Sequence, residues 1–584
     1  MITSSKSELT STIALLLLLG VCVWLYYPGL SGPVLLDDAS NIEQSFGAEV
    51  SGFANEESYR PGFWEYVSNN NAGPLGRPVS MATFYAEYWF CPPRSFVGKS
   101  INLALHCVVG LLLYMLVRRT LRMVGLDSSA AALFATAFWL LAPLHVSTVL
   151  YHVQRMAILA ALFSLLFIHG WFSLRGAYID RRSLRWPAIG TLLSGILAIG
   201  AKENAVVVLP LVLLFDWFFL GERGEPNLRQ VRWRRTSKLA LAILALLGVV
   251  ACLLASEWIV RGYEVRQFTL GQRLLTESRI LWSYAYEFFL PNIQTLGLSH
   301  DDYPLSRGLF DPISTLWAVT AMSLGALTLL AFWSRKVFRY IAFGVVFFFT
   351  AHALESSLLA LELYFEHRNY FPSVGFAVSL GIIGAYLGSK YPQTSRSLMV
   401  AITIWLVVLA ADLSSQSAIW GDRTAIVLTE RAGHPESSRA NIAMAVLTAS
   451  AGDTVSAERF SKLAAKYSDS ETDSDHIVRF IALSCLANKP VPAGWYPAQL
   501  TQKLGSSSGR TSLEKIVVAA ETDRCPEFDF EELADFFSRA WRSPDFESGF
   551  DRNVMVAALR IERVLGRQEP VSRYEEILQQ VLPD

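Results

Sequence analysis

Two adjacent carboxylates, Asp37 and Asp38, lie in the stretch VLLDDASNIE (34–43), directly behind the first long apolar segment. A carboxylate within hydrogen-bond reach of a substrate hydroxyl can take its proton as that hydroxyl attacks an electrophile. Neighbouring carboxylates raise one another's proton affinity, which makes one of them a better base. Taken alone, the pair would equally well cap a loop after a helix. Further ionisable groups recur at the edges of other apolar segments. They are Arg77 in GRPVS, His106 in NLALHC, His145 in APLHVS, His152 and Arg155 in YHVQR, Lys202 and Glu203 in AKEN, and Glu366, His367 and Arg368 in FEHRNYFPSVG. Such groups are costly at membrane depth, and each is by default a functional candidate. Acids and cations gathered on one face suggest a base beside an anion site, because Arg and Lys recognise phosphate through directed donors and charge. A phosphorylated lipid fits that description. The plainer readings are a mutual ion pair for Lys202 and Glu203, a surface pair for Arg368 and Glu366, and a buried hydrogen-bonding role for His106.

The elements that must position these residues are membrane helices. The chain has 584 residues, 52% hydrophobic and only 17% charged, with a mean hydropathy of +0.34. That composition is too apolar for a soluble protein of this size and indicates an α-helical polytopic membrane protein. A formal net charge of -1 gives no hint of a nucleic-acid partner. The six cysteines show no metal-ligand spacing, so no metal site is expected; Cys485 and Cys525 are placed to pair if their domain is extracytoplasmic. The first apolar segment follows a single Lys6 and no small-x-small site leads out of it, so it reads as a retained span. Segments long enough to cross fall near 12–29, 100–117, 129–143, 156–173, 186–200, 204–220, 239–256, 312–333, 338–353, 371–388 and 398–415, eleven in all.

Basic clusters orient them. Arg118, Arg119 and Arg122; Arg175, Arg181, Arg182 and Arg185; Arg223 to Lys238; Lys336 and Arg339; and Lys390 and Arg396 all fall on one face of an eleven-span arrangement. By the positive-inside rule that face is cytoplasmic, which puts Asp37 and Asp38, in a first loop over 30–99, on the outside. Residues 274–296 carry Glu277, Arg279 and Glu287 and are interrupted by Pro291, so they predict a helix lying in the outer interface, with Trp282, Tyr284 and Tyr286 at headgroup level. After Trp420 the chain turns polar, and 421–584 read as a soluble, all-α, extracytoplasmic domain behind a membrane domain over 1–420. Its stretch PESSRANIAMAVLTASAGDTVSAERFSKLAAKY has the cadence of one tetratricopeptide repeat, with Gly452 and Asp453 at the turn and Ala457 opening the second helix. GSSSGR, residues 505–510, reads as a loop.

In order, LLDDASNI, RPVSMATFYAEYWF, INLALH, APLHVSTVLYHVQRMAILAALF, AKENAVVVLPLVLLFDW and EHRNYFPSVGF, followed by a repeat-like domain, resemble the GT-C superfamily of polyprenyl-phosphate-sugar glycosyltransferases. Among these the nearest resemblance is to the transmembrane and tetratricopeptide-repeat O-mannosyltransferases. It covers most of residues 13–470. The resemblance implies that Asp37 or Asp38 is the general base and that Arg155, Lys202 and Arg368 hold the donor phosphate. Glu203 and Glu366 would orient those cations, with Arg77 and His145 supporting. It further implies an inverting transfer to a Ser or Thr hydroxyl of a secreted or envelope protein, with the helical domain receiving the acceptor. No cofactor beyond the lipid-phosphate sugar is expected. The setting would be a bacterial inner membrane with the site facing the periplasm, or alternatively an ER membrane with a lumenal site. The chain departs from the family's His-Pro-x-His at Ala142–His145, and has Ala157 where an acid usually follows the arginine by two residues. These departures leave the sugar open. A lipid or cell-wall glycan acceptor is the rival within the class. A lipid-linked-sugar flippase is the rival from another class, but it should show inverted halves and mid-span charges, and neither is visible.

Overall fold

The computed structural model describes residues 2–38, 41–42, 62–68, 72–73, 75–91, 95–220, 227–264, 266–393, 395–468, 473–486, 507–522, 525, 528–540, 552–568, 570–572 and 574–575. Most of the first loop expected over 30–99, and Arg223 of the basic clusters, lie outside the described residues. So do Gly505 and Ser506 of the expected GSSSGR loop. The regular structure of the described residues is all helix, with no strand among them. They fall into two compact units, Met1–Leu298 with Tyr303–Arg423, and Ser299–Asp302 with Thr424–Asp584.

In the first unit the helices are α1 (Ile2–Tyr26), α2 (Phe63–Ser68), α3 (Pro78–Phe90), α4 (Ser95–Met123), α5 (Ser129–Leu140), α6 (Val146–Val149), α7 (Arg155–Ile179) and α8 (Arg185–Ala201). They continue with α9 (Val208–Phe219), α10 (Leu228–Leu254), α11 (Ser256–Arg261), α12 (Leu270–Phe289), α13 (Ser314–Ala331), α14 (Lys336–His352), α15 (Ser373–Lys390) and α16 (Ser395–Trp420). Every one of the eleven expected segments is a helix. Among the described residues seven helices are long and apolar enough to cross a bilayer, beginning at Glu8, Ser95, His152, Leu228, Ser314, Ser373 and Met399, and an eighth counts if the pair Ser129–Leu140 and Pro143–Val149, bent by 52°, is one broken span. The remaining three are shorter: α8 and α14 have 17 residues each and α9 has 12, against the roughly 20 that a full helical crossing requires.

Contacts sort the connections to two ends of this bundle. At one end Asp38 bonds to Val153, Arg77 to Glu203, and Lys202 to Glu355. At the other, Arg119 donates to His169, Arg175 pairs with Asp216, and Trp333 packs on Phe218. The expected acids and cations thus gather at the first end, and the basic clusters at the second. Between them α4, α5, α7 and α15 form the buried centre, with Val109, Leu113, Leu140, Ile158, Leu165 and Val378 shut off from solvent.

Helix α12 coincides with the segment expected at the interface. It is not among the helices apolar enough to span, and it ends at Phe289, with Leu290 as its C-cap before Pro291. Its buried face runs Arg273, Thr276, Glu277, Ile280, Leu281, Tyr284, Glu287, Phe288, a stripe of helical period. Trp282 and Tyr286 are exposed. Tyr284 is not: its hydroxyl accepts from Phe365 N–H at 2.8 Å, which turns it inward.

The second unit is a stack of helices: α17 (Arg423–Gly433), α18 (Ser438–Ser450), α19 (Thr454–Lys466), α20 (Asp473–Leu486), α21 (Ser507–Glu521), α22 (Phe530–Ala540) and α23 (Arg552–Val564). α18 and α19 are the hairpin expected from the sequence. Gly452 makes the turn at φ +81, a conformation only glycine adopts without strain, and Asp453 caps α19 by accepting from Ser456 N–H at 3.0 Å. Ala445, Ala449, Ala457 and Ala464 are buried between the helices and let their backbones approach. Cys485 and Cys525 are joined by a disulfide. The stretch expected as a loop at 505–510 is helical from Ser507 onward, because α21 begins there.

Candidate functional site

The first end of the bundle is built around two short irregular stretches. After α1, residues Tyr27–Ser31 form a single 3-10 turn, and the chain then doubles back so that Asp38 N–H reaches Leu35 C=O at 2.8 Å. Leu36 within that turn has φ +31, a strained value for a residue with a side chain. The turn sends the two aspartates opposite ways. Asp38 is 1% exposed, and its carboxylate accepts from Val153 N–H at 2.7 Å and Leu35 N–H at 3.1 Å. Asp37 is exposed; its backbone N–H donates to the Tyr151 hydroxyl at 2.8 Å, and that hydroxyl also hydrogen-bonds the Asp37 side chain.

The second stretch, residues 141–154, breaks the path between α5 and α7 into turns, and all of it is buried. Asn102 holds it by donating to the carbonyls of Tyr151 and His152 at 3.2 and 3.1 Å. Behind it lies a buried polar cluster. Arg155 donates to Glu87 at 2.5 Å, to Asn102 at 2.9 Å and to the Gly98 carbonyl at 3.1 Å, and its guanidinium lies over the Phe84 ring. His152 meets the same Glu87 at 3.1 Å. Burial pushes the Glu87 carboxyl up, but the His152 bond and the Arg155 charge more than offset this and hold it below the usual range. Lys99, fully buried, donates to the Pro33 carbonyl at 3.0 Å near the Asp38 charge. Gly98 is required here, since a Cβ would fall 2.1 Å from the His152 ring.

The remaining cations continue the same end. Arg77, at φ +46 before α3, pairs with Glu203 at 3.0 Å and touches the Met156 sulfur. Lys202 pairs with Glu355 at 2.7 Å, and Asn204 donates to the other Glu355 oxygen at 2.9 Å. Burial works against the Glu355 charge, yet Lys202 and Arg368 outweigh it and bring its pKa to about 2. From α12, Arg273 grips the 355–362 loop through the carbonyls of Glu355, Ser357 and Leu361 and pairs with Glu277 at 2.8 Å. Burial raises the Glu277 carboxyl to about 7 against the pull of Arg273 and Arg368.

Arg368 differs from the other three expected cations. It is 6% exposed, donates to the Leu363 carbonyl at 2.9 Å and lies over the Phe365 ring, and no carboxylate is within ion-pair distance of it among the described residues. With His367 and Tyr370 it walls a narrow slot whose opposite side is made of small residues, Ala157, Ala160 and Ser164 of α7, and Ala205.

Of the residues expected from sequence, Asp37, Asp38, Arg77, Arg155, Lys202, Glu203 and Arg368 come to this end. Several partners differ from those expected. Lys202 and Glu203 do not pair with each other, and Glu366 does not pair with Arg368; it accepts from Gly297 N–H at 2.6 Å. Glu203 orients Arg77 rather than Arg155, Lys202 or Arg368. His145 is sealed among Trp139, Tyr370, His106 and Phe288, with no hydrogen-bond partner on either ring nitrogen among the described residues. His106 bonds the Tyr370 hydroxyl at 2.8 Å, the buried role expected for it. Glu87, Lys99, Asn102, Arg273 and Glu355 were not singled out in the sequence; the one available signal was a charge or amide within an otherwise apolar helix, as at Glu87 and Lys99. No group of three or more His, Cys, Asp or Glu is arranged to hold a metal among the described residues.

Compared with curated proteins, the chain is similar to the protein O-mannosyl-transferase F38B6.6 of Caenorhabditis elegans, at 23% identity over 384 residues. The alignment covers 62% of this chain and 48% of that protein, so the chain matches about half the length of this relative. No protein-family model matches the chain, and no solved structure does.

Proposed function

We propose that the chain is a membrane glycosyltransferase that moves a sugar from a polyprenyl-phosphate donor to a Ser or Thr hydroxyl of an extracytoplasmic protein, with inversion, on a GT-C-like arrangement of eleven spans. The observation that carries this reading is the division of labour at one end of the bundle. An exposed Asp37 is held by Tyr151, while Arg368, which alone of the four expected cations has no carboxylate within ion-pair distance among the described residues, walls a slot of small residues. The similarity to an O-mannosyltransferase supports the same class.

The acceptor oxygen attacks the anomeric carbon as the bond from that carbon to the phosphate oxygen breaks, and the acceptor proton passes to the Asp37 carboxylate. Charge grows on the leaving phosphate at that moment, and a cation not already neutralised stabilises it most. Arg368 is in that condition, whereas Arg155 and Lys202 are tied to Glu87 and Glu355 and serve to fix the frame. Asp38, with both oxygens committed to backbone N–H groups, holds the turn that presents Asp37.

The basic end would face the cytoplasm of a bacterial inner membrane and the site the periplasm, or the lumen if the membrane is that of the ER. The Cys485–Cys525 disulfide fits either oxidising compartment. The helical hairpin of α18 and α19 supports a tetratricopeptide-like surface for the acceptor protein. Mass spectrometry of envelope proteins from cells with and without the gene tests the proposal and yields sugar mass and acceptor together. A mass increment of one sugar lost from Ser or Thr peptides is the expected result; unchanged proteins with an altered glycolipid would move the acceptor to the rival class.

A further inference from the structure

At the opposite end of the bundle from Asp37, a cavity of about 460 Å³ opens between the start of α1, the end of α4 and the middle of α7. Three of the arginines that orient the chain line it. Arg118 and Arg122 share one carboxylate, Asp127, at 3.1 and 3.7 Å. Arg119 has none within ion-pair distance among the described residues; it is braced by the Phe172 ring, the His169 carbonyl and the Ser173 hydroxyl. Arg118 also leaves its Nε buried without a hydrogen-bond partner among the described residues. On the same cavity wall stands Glu8, a carboxylate that makes no ion pair with these arginines.

Topology signalling requires only that basic residues lie on this side; it does not require a concavity lined by unpaired charge of both signs. A cation and a carboxylate that line one cavity without meeting are matched by a ligand carrying both charges. The surroundings say where that ligand comes from. The span of α1 begins at Glu8, so the cavity sits where a helix enters the bilayer. Away from the arginines Met115 lines the cavity, and the next turns of α4 and α1 carry the exposed apolar residues Leu111 and Leu16, which would lie along acyl chains.

We propose that this cavity binds the phosphoethanolamine headgroup of a membrane phospholipid, with the phosphate taken by Arg119 and Arg122 and the primary ammonium by Glu8. Binding here is independent of the transfer reaction.

The test uses the full chain, purified in detergent and examined by native mass spectrometry while phosphatidylethanolamine, phosphatidylcholine or phosphatidylglycerol is titrated in. Phosphatidylethanolamine is expected to be retained most strongly, because phosphatidylcholine has no N–H for Glu8 and phosphatidylglycerol has no positive charge. Glu8→Gln, at an exposed position where folding is not at stake, should remove the preference over phosphatidylglycerol. Arg119→Gln should weaken retention about tenfold, the loss of one charge-assisted hydrogen bond. Equal retention of the three lipids, or an unchanged preference in Glu8→Gln, would overturn the proposal. So would displacement of the lipid by millimolar inorganic phosphate, which would make this a free-phosphate site.

Discussion

Replacing Asp38 by Asn should unfold the turn that presents Asp37 without touching substrate. In the folded protein Asp38 accepts two backbone N–H bonds, from Val153 and Leu35, and its charge lies near the buried Lys99. Asparagine keeps one acceptor oxygen and offers an NH2 group to the other N–H, so one bond to a charged acceptor is lost, at about 1.5–3 kcal/mol. The ammonium of Lys99 also loses its nearest counter-charge, which brings the total to roughly 3–4 kcal/mol. Asp37→Asn, on an exposed side chain, should stay within about 0.5 kcal/mol of wild type. Thermal unfolding of the purified chain, followed through its tryptophans, reads both. Adding Lys99→Met to Asp38→Asn should recover about 1–2 kcal/mol, since two residues sharing one electrostatic interaction are not additive. If Asp38→Asn unfolds at the wild-type temperature while Asp37→Asn falls, the two aspartates have been assigned the wrong way round.

Other outcomes follow from the same geometry. Tyr151→Phe should lower kcat about tenfold with little change in KM, because the lost hydroxyl no longer holds Asp37 in place. Arg368→Gln should lower kcat/KM for the lipid donor roughly ten- to hundredfold, most of it in kcat because the lost bonds strengthen as charge grows on the leaving phosphate, with smaller losses if Lys is placed there. Glu355→Gln would strand Lys202 in a buried site at a cost of about 3–5 kcal/mol, seen as a fall in unfolding temperature. The Glu355 carboxyl sits at about 2 in the fold against an ordinary 4.5, so its contribution is complete above pH 4.5 and should fade as pH falls toward 2. Deleting residues 430–584 should abolish transfer to protein; intact protein glycosylation in that variant would sink the acceptor role of the helical domain.

Much of this was open to inspection in the chain itself, for reasons that depend on the kind of interaction. The helices at the eleven expected positions follow from runs of apolar residues, a local property. The crossing ability of α8, α9 and α14 does not, because it turns on where turns such as Glu203–Val207 cut a helix short. The gathering of Asp37, Arg77, Lys202 and Arg368 at one end follows from alternating basic clusters. Their partners do not, since Arg155 with Glu87 and Lys202 with Glu355 join residues 68 and 153 positions apart. Glu87 stands alone among apolar and aromatic residues in YAEYWF, which marks its charge, but nothing in that motif names Arg155 or His152 as its partner. The difference between Asp37 and Asp38 was hidden for another reason: it rests on one strained residue, Leu36, whose side chain carries no signal for a positive φ. The αL turn at Gly452 was visible because glycine is the residue that such a turn selects.

The most direct test of the base assignment is single-turnover transfer by purified Asp37→Asn protein, with a polyprenyl-phosphate sugar as donor and a hydroxyl peptide as acceptor. Transfer should fall by a factor of about 10² or more, the contribution of a positioned general base, while donor binding and unfolding temperature stay at wild-type values. Wild-type transfer by Asp37→Asn, in a protein that binds the donor normally, would remove Asp37 from the chemistry.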